Sequence, residues 1–382
     1  MSSGVFLAFI ATVLVVAIIL VTRRFHAGVS EDTNSGPQKF HANPTPRVGG
    51  IAILIGLAVG IGLGEVSDPD FRSSAVILLL ASLPAFTGGL LEDLLKRIPV
   101  ISRLLFTFVS AAAAFIVLDA RITGVDVPGV DWLLGLTAVS FAFTLFAIGG
   151  LAHAINIVEG FNGLAGVIAL LLLAAIIYVA GQVGDETVVA LSLVVAAALL
   201  GFLIFNYPRG LIFLGDGGAY LVGFLVAELA VLLVQRNTSV SPWFPLLLFG
   251  YPVWETLFSG YRRKILQGRS PGQPDGLHLH TLIHKRLIRP ASRAAKQSAY
   301  GANALTSPFL WLLALPAVVA AVLFWENTLA LQVSLAVFIA LYLAVYRQIV
   351  LFRVPSFLVL RSRRTLMHKG GAAIAVEEPE EI

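Results

Sequence analysis

The sequence predicts an all-α, polytopic integral membrane protein. Of the 382 residues, 58% are hydrophobic and 13% are charged, whereas soluble domains are about 45–50% apolar and about 25% charged. The mean hydropathy is +0.89, and the apolar residues gather into runs of about 20, the length at which a helix crosses a bilayer. Because the chain has no cysteine, disulfides, thiolate metal sites and a cysteine nucleophile are excluded.

Eleven candidate spans follow one another along the chain. The first has Arg23 and Arg24 behind it and no basic residue in front, which is typical of a spanning helix with an external N-terminus and not of a cleavable signal peptide. The candidates cover about residues 4–22, 48–64, 73–91, 100–118, 132–154, 163–181, 186–206, 214–234, 242–260, 306–324 and 328–348. Glycine or proline interrupts several of them, so we expect some short or broken helices.

The distribution of basic residues supports this threading. The internal segments are residues 23–47, 92–103, 155–162, 207–213, 261–305 and 347–382. Of the 26 Lys and Arg residues, only Arg72, Arg121 and Arg236 then lie outside, as expected if these residue types mark cytoplasmic loops. We therefore expect one transmembrane domain over residues 1–348 and a cytoplasmic, partly disordered tail over residues 349–382. The basic pI of about 9.4 then reflects topology and not a nucleic-acid partner.

A single acid surrounded by glycines stands out among the apolar runs. Asp216 lies in LIFLGDGGAY, residues 211–220. A carboxylate at the end of a membrane-depth helix is costly unless it faces water, a partner or a metal, so it is a functional-site candidate by default. The threading places four other polar clusters on the same internal face.

The first of these clusters is KFHANPTPRVGG, residues 39–50. Lys39, His41 and Arg47 offer donors suited to phosphate, although basic residues before a span also serve simply as topological anchors. Both interpretations stay open on the chemistry of this segment alone.

The second cluster is GGLLEDLLKR, residues 88–97, in which Glu92 and Asp93 are adjacent. Adjacent acids repel each other, so their pairing is expected where a cation or a proton transfer uses them. The alternative is an ordinary helix end with an ion pair between Glu92 and Lys96 one turn apart.

The third cluster is NIVEGFNG, residues 156–163. Asn156, Glu159 and Asn162 recur every three positions, so a helical or near-helical segment would place them on one face, where they could bind a nucleobase or ribose. The alternative is a polar hairpin between helices.

The last cluster lies in the long basic loop, where Asp275, His278, His280 and His284 occur within ten residues. Histidine and arginine side chains beside an acidic site are suited to a pyrophosphate. Zinc binding is not supported, since cysteine and a third ligand at zinc spacing are missing. Acids, amides and cations on one face together indicate a magnesium-dependent reaction on a phosphorylated substrate.

Five motifs in order carry a family resemblance: PTPRVGG, GGLLEDLLK, NIVEGFNGLAG, FLGDGGAYLVG and PDGLHLHTL. Over about residues 39–290 the chain resembles the polyprenyl-phosphate N-acetylhexosamine-1-phosphate transferases, glycosyltransferase family 4. The resemblance implies transfer of a sugar 1-phosphate, with an N-acetylhexosamine as the expected sugar, from a UDP-sugar to undecaprenyl phosphate with release of UMP. This reaction initiates polysaccharide synthesis for the cell wall or lipopolysaccharide.

The resemblance also implies where the enzyme works and what it needs. We expect a multi-pass protein of the bacterial inner, or cytoplasmic, membrane whose active site faces the cytoplasm. The expected cofactor is Mg²⁺, with Mn²⁺ as the alternative, and the expected partners are undecaprenyl phosphate, the UDP-sugar and membrane lipid. A homodimer stays open, and the domain over residues 1–348 is expected to be the catalytic one.

The same resemblance assigns site residues. The expected catalytic residues are Asp93, Glu92 and Asp216, with Asp216 and Asp93 as metal ligands. The expected substrate-binding residues are Lys39, His41, Arg47, Lys96, Asn156, Glu159, Asn162, His278 and His280.

Four positions depart from the family pattern. Glu92 and Glu159 replace aspartates, Asn162 replaces an aspartate, and Thr281 follows His280 where the family often has another histidine. A longer side chain displaces its oxygens by about one bond length, and misplacement near 1 Å can cost on the order of 10²-fold in rate. Two alternatives therefore stand beside the enzyme: a transporter or flippase of a lipid-linked saccharide, and a catalytically impaired relative acting as a scaffold.

Overall fold

The computed structural model describes residues 2–32, 44–64, 69–268, 276–294 and 299–351. This part of the chain is helical except for its turns and one two-residue antiparallel ladder, which pairs β1 (Glu31–Asp32) with β2 (Thr45–Pro46). The all-α fold class is therefore confirmed. Lys39, His41, Asp275 and the tail beyond residue 351 lie outside the described residues.

Sixteen α-helices are described in these segments. They are α1 Ser2–Val21, α2 Arg23–Ser30, α3 Gly49–Leu63, α4 Pro69–Leu95, α5 Val100–Val117, α6 Val130–Leu134, α7 Thr137–Val158, α8 Leu164–Gln182, α9 Glu186–Asn206, α10 Gly215–Arg236, α11 Trp243–Leu248, α12 Gly250–Tyr261, α13 Leu279–Ile283, α14 Arg289–Ala294, α15 Ala299–Leu323 and α16 Thr328–Val350. Two π-helical segments, Arg262–Leu266 and His284–Ile288, extend α12 and α13.

Nine of the described helices are long and apolar enough to cross a membrane, and each coincides with a predicted span. The other two candidates differ in form. Helix α3 has only 15 residues, and the candidate at 242–260 is divided at Phe249 into α11 and α12. The protein is thus an integral membrane helix bundle, while the count of eleven crossings and the external N-terminus stay predictions.

Helix α10 is the centre of the bundle. It packs against α3, α4, α5, α7, α8 and α9, and every residue from Gly215 to Leu233 is buried. Glycines allow this close packing near the start of the helix. A Cβ atom on Gly89 of α4 would lie 2.4 Å from the carbonyl oxygen of Asp216, and one on Gly50 of α3 would lie 2.4 Å from the amide nitrogen of Gly218.

The two ends of the bundle differ in charge. At one end, α4 and α7 terminate while α3, α5 and α10 begin, so their polar residues meet there. Arg72, Arg121 and Arg236 lie near the opposite ends of α4, α5 and α10, where Arg236 Nε donates to Asp185 Oδ2 at 2.8 Å. These three arginines thus lie at the end of the bundle away from Asp216, as the threading predicts, while the sorting of charges between two membrane faces stays a prediction.

Candidate active site

The start of α10 gathers three acidic residues. The amide of Gly215 donates to Glu159 Oε1 at 3.0 Å, and the amides of Asp216 and Gly217 donate to the two carboxylate oxygens of Asp93, each at 2.9 Å. The first amides of a helix have no partner within it and form its positive end. Asp93 and Glu159, from the ends of α4 and α7, therefore satisfy the amides of the helix that carries Asp216.

The glycine before Asp216 is required by its surroundings. Gly215 has a φ of +74°, in the left-handed region that side chains rarely adopt. A Cβ atom there would lie 2.0 Å from the carbonyl oxygen of Arg47 and 2.6 Å from Asp93 Oδ2. Gly215 thus lets the segment before α3, the end of α4 and the start of α10 meet.

Two arginines bind the Asp216 carboxylate. Arg47 Nη2 donates to Asp216 Oδ1 at 2.9 Å and lies 3.6 Å from Asp93 Oδ1. Arg103 Nη1, from the first turn of α5, donates to Asp216 Oδ2. Side-chain exposure is 10% for Asp216 and 14% for Arg103. A largely buried group of two carboxylates and two guanidiniums therefore forms the centre of the site, with Arg47 the most exposed of the four at 28%.

Arg47 is held in place by its backbone. The amide of Arg47 donates to Ser30 O at 2.9 Å, while Phe213 donates to Pro46 O at 2.8 Å and Gly49 donates to Phe213 O at 3.0 Å. The segment before α3 thus runs beside the segment before α10. The structure places Arg47, one of the expected phosphate-binding residues, directly on the expected metal-binding aspartate.

Sequence reasoning missed Arg103 and His153. In the sequence, Arg103 is one of many cations that set topology, and His153 lies inside an apolar span. His153 Nδ1 lies 3.3 Å from the hydroxyl of Tyr220, one turn along α10 from Asp216. The available signal was an ionisable residue at membrane depth, since such residues are rare and usually face the interior of the bundle.

Glu92 and Lys96 do not form the alternative ion pair. Glu92 Oε2 instead accepts a hydrogen bond from the amide of Ile98 at 2.6 Å, and Lys96 Nζ donates to the carbonyl oxygen of Glu31 at 2.9 Å. The pair fails because α4 ends at Leu95 and Lys96 has a positive φ of 55°. Unlike Asp93, Glu92 makes no described bond to α10, and its catalytic role stays a prediction.

The expectation that Asn156, Glu159 and Asn162 share a helical face is wrong, because α7 ends at Val158. Asn156 lies in the last turn of the helix, and Glu159 turns towards Gly215. The burial of its carboxyl raises the pKa of Glu159 to about 7.

Asn162 lies in the turn after Glu159 and is 3% exposed. Its side chain donates to Pro208 O at 3.0 Å, and its amide donates to Asn303 Oδ1 at 2.9 Å. Asn162 therefore connects this turn to α15 and to the segment after α9. Its predicted part in substrate binding is not tested by these contacts.

The loop that carries His278 and His280 lies next to this turn. His280 packs edge-on against Phe161, with ring centroids 5.7 Å apart, and stacks on His278 at 5.1 Å. Glu255 of α12 holds the loop, since its Oε1 lies 2.9 Å from His278 Nδ1 and its Oε2 accepts from Tyr342 at 2.7 Å. The cluster at residues 156–163 and the cluster that carries His278 and His280 are therefore neighbours, as expected for clusters on one face.

The carboxylates fit a magnesium ion only in part. Among the described residues, no three His, Cys, Asp or Glu side chains form a group that could hold a metal. Mg²⁺ is commonly bound by one or two carboxylates together with water and substrate phosphates, and Asp216 and Asp93, which share Arg47, provide such a pair. The residues thus fit Mg²⁺ if phosphate oxygens complete its ligands.

Comparisons with known proteins agree with this architecture. The model of glycosyl transferase family 4 matches residues 75–234, which include Asp93, Arg103, Glu159 and Asp216. The chain is 29% identical over 276 residues to the probable undecaprenyl-phosphate N-acetylglucosaminyl 1-phosphate transferase of Bacillus subtilis, covering 72% of this chain and 75% of that protein.

Two enterobacterial proteins named undecaprenyl-phosphate alpha-N-acetylglucosaminyl 1-phosphate transferase are also similar. The protein of Salmonella typhi is 28% identical over 251 residues, and that of Escherichia coli K12 is 26% identical over 253 residues. Each match covers 64% of this chain and 67% of the relative. The bundle, the site and these relatives together define an integral membrane phosphotransferase. The chain is thus similar to glycosyl transferase family 4, whose model matches it over residues 75–234.

Proposed function

We propose that the protein transfers an N-acetylhexosamine 1-phosphate from a UDP-sugar to undecaprenyl phosphate and releases UMP. The observation that carries this proposal is the convergence of Asp93, Asp216, Arg47 and Arg103 at the start of α10, in a chain that is similar to this family. Relatives are named for N-acetylglucosaminyl 1-phosphate transfer to undecaprenyl phosphate, so UDP-N-acetylglucosamine is the first donor to test.

The reaction exchanges one phosphoanhydride bond for another. An oxygen of the lipid phosphate attacks the phosphorus that carries the sugar, a new P–O–P bond forms, and the bond to the uridine-bearing phosphate breaks. The bridging oxygen leaves with UMP. Because the lipid phosphate is already ionised at neutral pH, the site needs charge neutralisation and alignment more than a strong base.

The two arginines are suited to that neutralisation. Both guanidiniums contact Asp216, and a guanidinium binds phosphate oxygens with the same paired geometry that it uses for a carboxylate. The positive end of α10 adds to the attraction of anions. On substrate binding, Arg47 and Arg103 transfer part of their hydrogen bonding from Asp216 to phosphate oxygens.

Asp216 and Asp93 would hold Mg²⁺, with Mn²⁺ as the alternative. When bound, the ion would supply further neutralisation of the pyrophosphate. Asp93 already accepts two amide hydrogen bonds, which fixes its oxygens in position for this role.

We also propose that the protein works in the bacterial cytoplasmic membrane, with the start of α10 facing the cytoplasm, and initiates a cell-surface polysaccharide. The concentration of basic residues in the segments on the site's side supports this orientation. UDP-sugars are soluble cytoplasmic metabolites, so a site on this side meets its donor directly.

Release of UMP tests the proposal. Purified protein is incubated with undecaprenyl phosphate, Mg²⁺ and a panel of UDP-sugars, with EDTA and Asp216→Asn as controls. We expect UMP and a lipid-linked sugar with at least one UDP-N-acetylhexosamine. No UMP from folded protein across the panel would refute the proposal, and flux of a lipid-linked saccharide retained in Asp216→Asn would favour the transporter.

The same assay distinguishes an impaired scaffold. In that case Glu92→Asp and Glu159→Asp together would create activity that the native protein lacks. If the native protein releases UMP, the scaffold alternative is rejected.

A further inference from the structure

His153 and Tyr220 contact each other beneath the acidic site. We propose that His153 donates a hydrogen bond from Nε2 to an oxygen of the lipid acceptor phosphate and so determines the affinity for the acceptor. This inference rests on the proposed function and assigns to His153 a contact with one of its two substrates.

The pair lies on the seam between α7 and α10. His153 Nδ1 is 3.3 Å from the Tyr220 hydroxyl, and the two ring centroids are 4.6 Å apart. Glu159 and Gly215 form the next contact on the seam towards the end of the bundle, at 3.0 Å. The pair is therefore the layer directly below the contact that joins α7 to the start of α10.

One hydrogen-bond donor of the pair, the N–H at His153 Nε2, has no acceptor among the described residues. Tyr220 is 1% exposed, and His153 Nδ1 is the partner of its hydroxyl in the described structure. A buried hydroxyl is satisfied by donating its hydrogen, and donation to Nδ1 places the imidazole proton on Nε2. Among the described residues, His153 Nε2 is buried and makes no hydrogen bond.

A buried N–H without an acceptor is costly, and its cost is removed when a ligand supplies an oxygen. Arg103 and Asp216 lie close enough to the imidazole for their charges to act on it. An anionic oxygen bound at Nε2 would accept from this neutral N–H and would also be attracted by the charge of Arg103. The chemistry of this position therefore fits a phosphate.

Depth in the bundle indicates which phosphate. Helix α7 ends at Val158, so His153 lies about 7.5 Å further into the bundle at 1.5 Å per residue. Tyr220 lies about 6 Å deeper than Asp216 along α10 by the same rise. The acceptor phosphate is attached to an apolar chain and approaches from the bilayer, whereas a UDP-sugar approaches from water. His153 is thus placed for the acceptor.

The test separates the two substrates. His153→Leu removes the donor, His153→Gln keeps an amide N–H of similar reach, and Tyr220→Phe releases the imidazole from its partner. Tyr178→Phe is the matched control, because Tyr178 is 49% exposed on α8. Each variant is assayed for KM towards undecaprenyl phosphate and towards the UDP-sugar, and for thermal stability in detergent.

We expect His153→Leu to raise the acceptor KM about 10-fold, the loss of one hydrogen bond to a charged oxygen, while the donor KM changes less than twofold. His153→Gln should restore most of the acceptor affinity. The acceptor KM of Tyr220→Phe should lie between those of the native protein and His153→Leu. An unchanged acceptor KM in His153→Leu, or an equal rise in both KM values, would overturn the inference.

A binding measurement keeps the inference testable apart from turnover. The affinity of the full-length protein for a short-chain prenyl phosphate and for the matching prenol is measured without a UDP-sugar. We expect His153→Leu to weaken the affinity for the prenyl phosphate about 10-fold and to leave the affinity for the prenol unchanged. Equal effects on both affinities would refute the contact. A native protein that binds prenyl phosphate through His153 but releases no UMP would refute only the proposed function.

Discussion

Asp93 closes the N-terminus of the helix that carries Asp216. Its two carboxylate oxygens accept hydrogen bonds from the amides of Asp216 and Gly217, each at 2.9 Å, and its side chain is 1% exposed. One residue thus combines a predicted role in chemistry with a structural role at the start of α10. These two roles make different predictions for the two aspartates.

Replacing Asp93 should reduce stability and activity together. In Asp93→Asn, the amide NH₂ faces one of the two backbone N–H donors and leaves it unsatisfied. Loss of a helix cap costs about 1 kcal/mol and up to about 2, so the melting temperature in detergent should fall, and UMP release should drop at least 10²-fold. Glu92→Gln is the control for stability, since its amide oxygen can still accept from the amide of Ile98. Unchanged stability in Asp93→Asn would contradict the capping role.

Replacing Asp216 should instead separate activity from stability. Within the described segments, no helix amide donates to the Asp216 carboxylate. In Asp216→Asn the new side chain would still offer an oxygen to one of the two arginines. We expect turnover to fall at least 10²-fold, with a smaller loss of stability than in Asp93→Asn. The measurements are UMP release with and without Mg²⁺ and thermal unfolding. Turnover close to that of the native protein would exclude Asp216 as a ligand.

The two glutamates that depart from the family pattern should not tolerate aspartate. Glu159 reaches the amide of Gly215 at 3.0 Å and Glu92 reaches that of Ile98 at 2.6 Å. A side chain shorter by one methylene cannot span either distance without backbone movement. We expect Glu159→Asp and Glu92→Asp to lower stability by about 1 kcal/mol each and not to raise activity. A gain in UMP release would show that the glutamates impair the site.

The apolar runs and motif spacing located the helices and placed Arg47, Asp93 and Asp216 at one site, because hydrophobic length and ordered motifs are local properties of the chain. Arg103 was not predicted as a site residue, since the sequence around a lone arginine at a helix start is the same whether that arginine sets topology or binds a carboxylate. The bond from Ile98 to Glu92 depends on the turn at Lys96, which no periodicity encodes. Side-chain partners across helices depend on packing, and sequence spacing does not determine them.

The buried His284, which packs against Phe161, should make the stability of the protein depend on pH. Burial, together with the charge of Arg289, lowers the pKa of His284 to about 4, whereas an unfolded histidine titrates near 6.5. The unfolded chain then binds a proton that the folded chain does not, so stability is full above about pH 6.5 and is lost as pH falls towards 4.

The His284→Gln variant tests this pH dependence. Glutamine can still bond to Thr306, which lies 2.9 Å from His284 Nδ1, but it does not titrate. Unfolding free energies of both proteins are measured between pH 7 and pH 4. The native protein should lose more stability than the variant over this range, and parallel curves would contradict a neutral His284 in the fold.

Two fully buried glutamates should respond in opposite ways to the same substitution. Glu228 of α10 is 0% exposed, and neither of its oxygens has a hydrogen bond among the described residues. Glu255 is 1% exposed but bonds to His278 and Tyr342. A buried polar group without partners costs roughly 1–3 kcal/mol, so Glu228→Leu should raise the melting temperature.

Activity should hardly change in Glu228→Leu, because Glu228 lies about 18 Å along α10 from Asp216 at 1.5 Å per residue. Glu255→Leu should lower stability, since it leaves His278, the amide of Leu279 and Tyr342 without their acceptor. Thermal unfolding in one detergent compares the two variants under the same conditions. A fall in melting temperature for Glu228→Leu as large as that for Glu255→Leu would show that the Glu228 carboxyl has a stabilising partner.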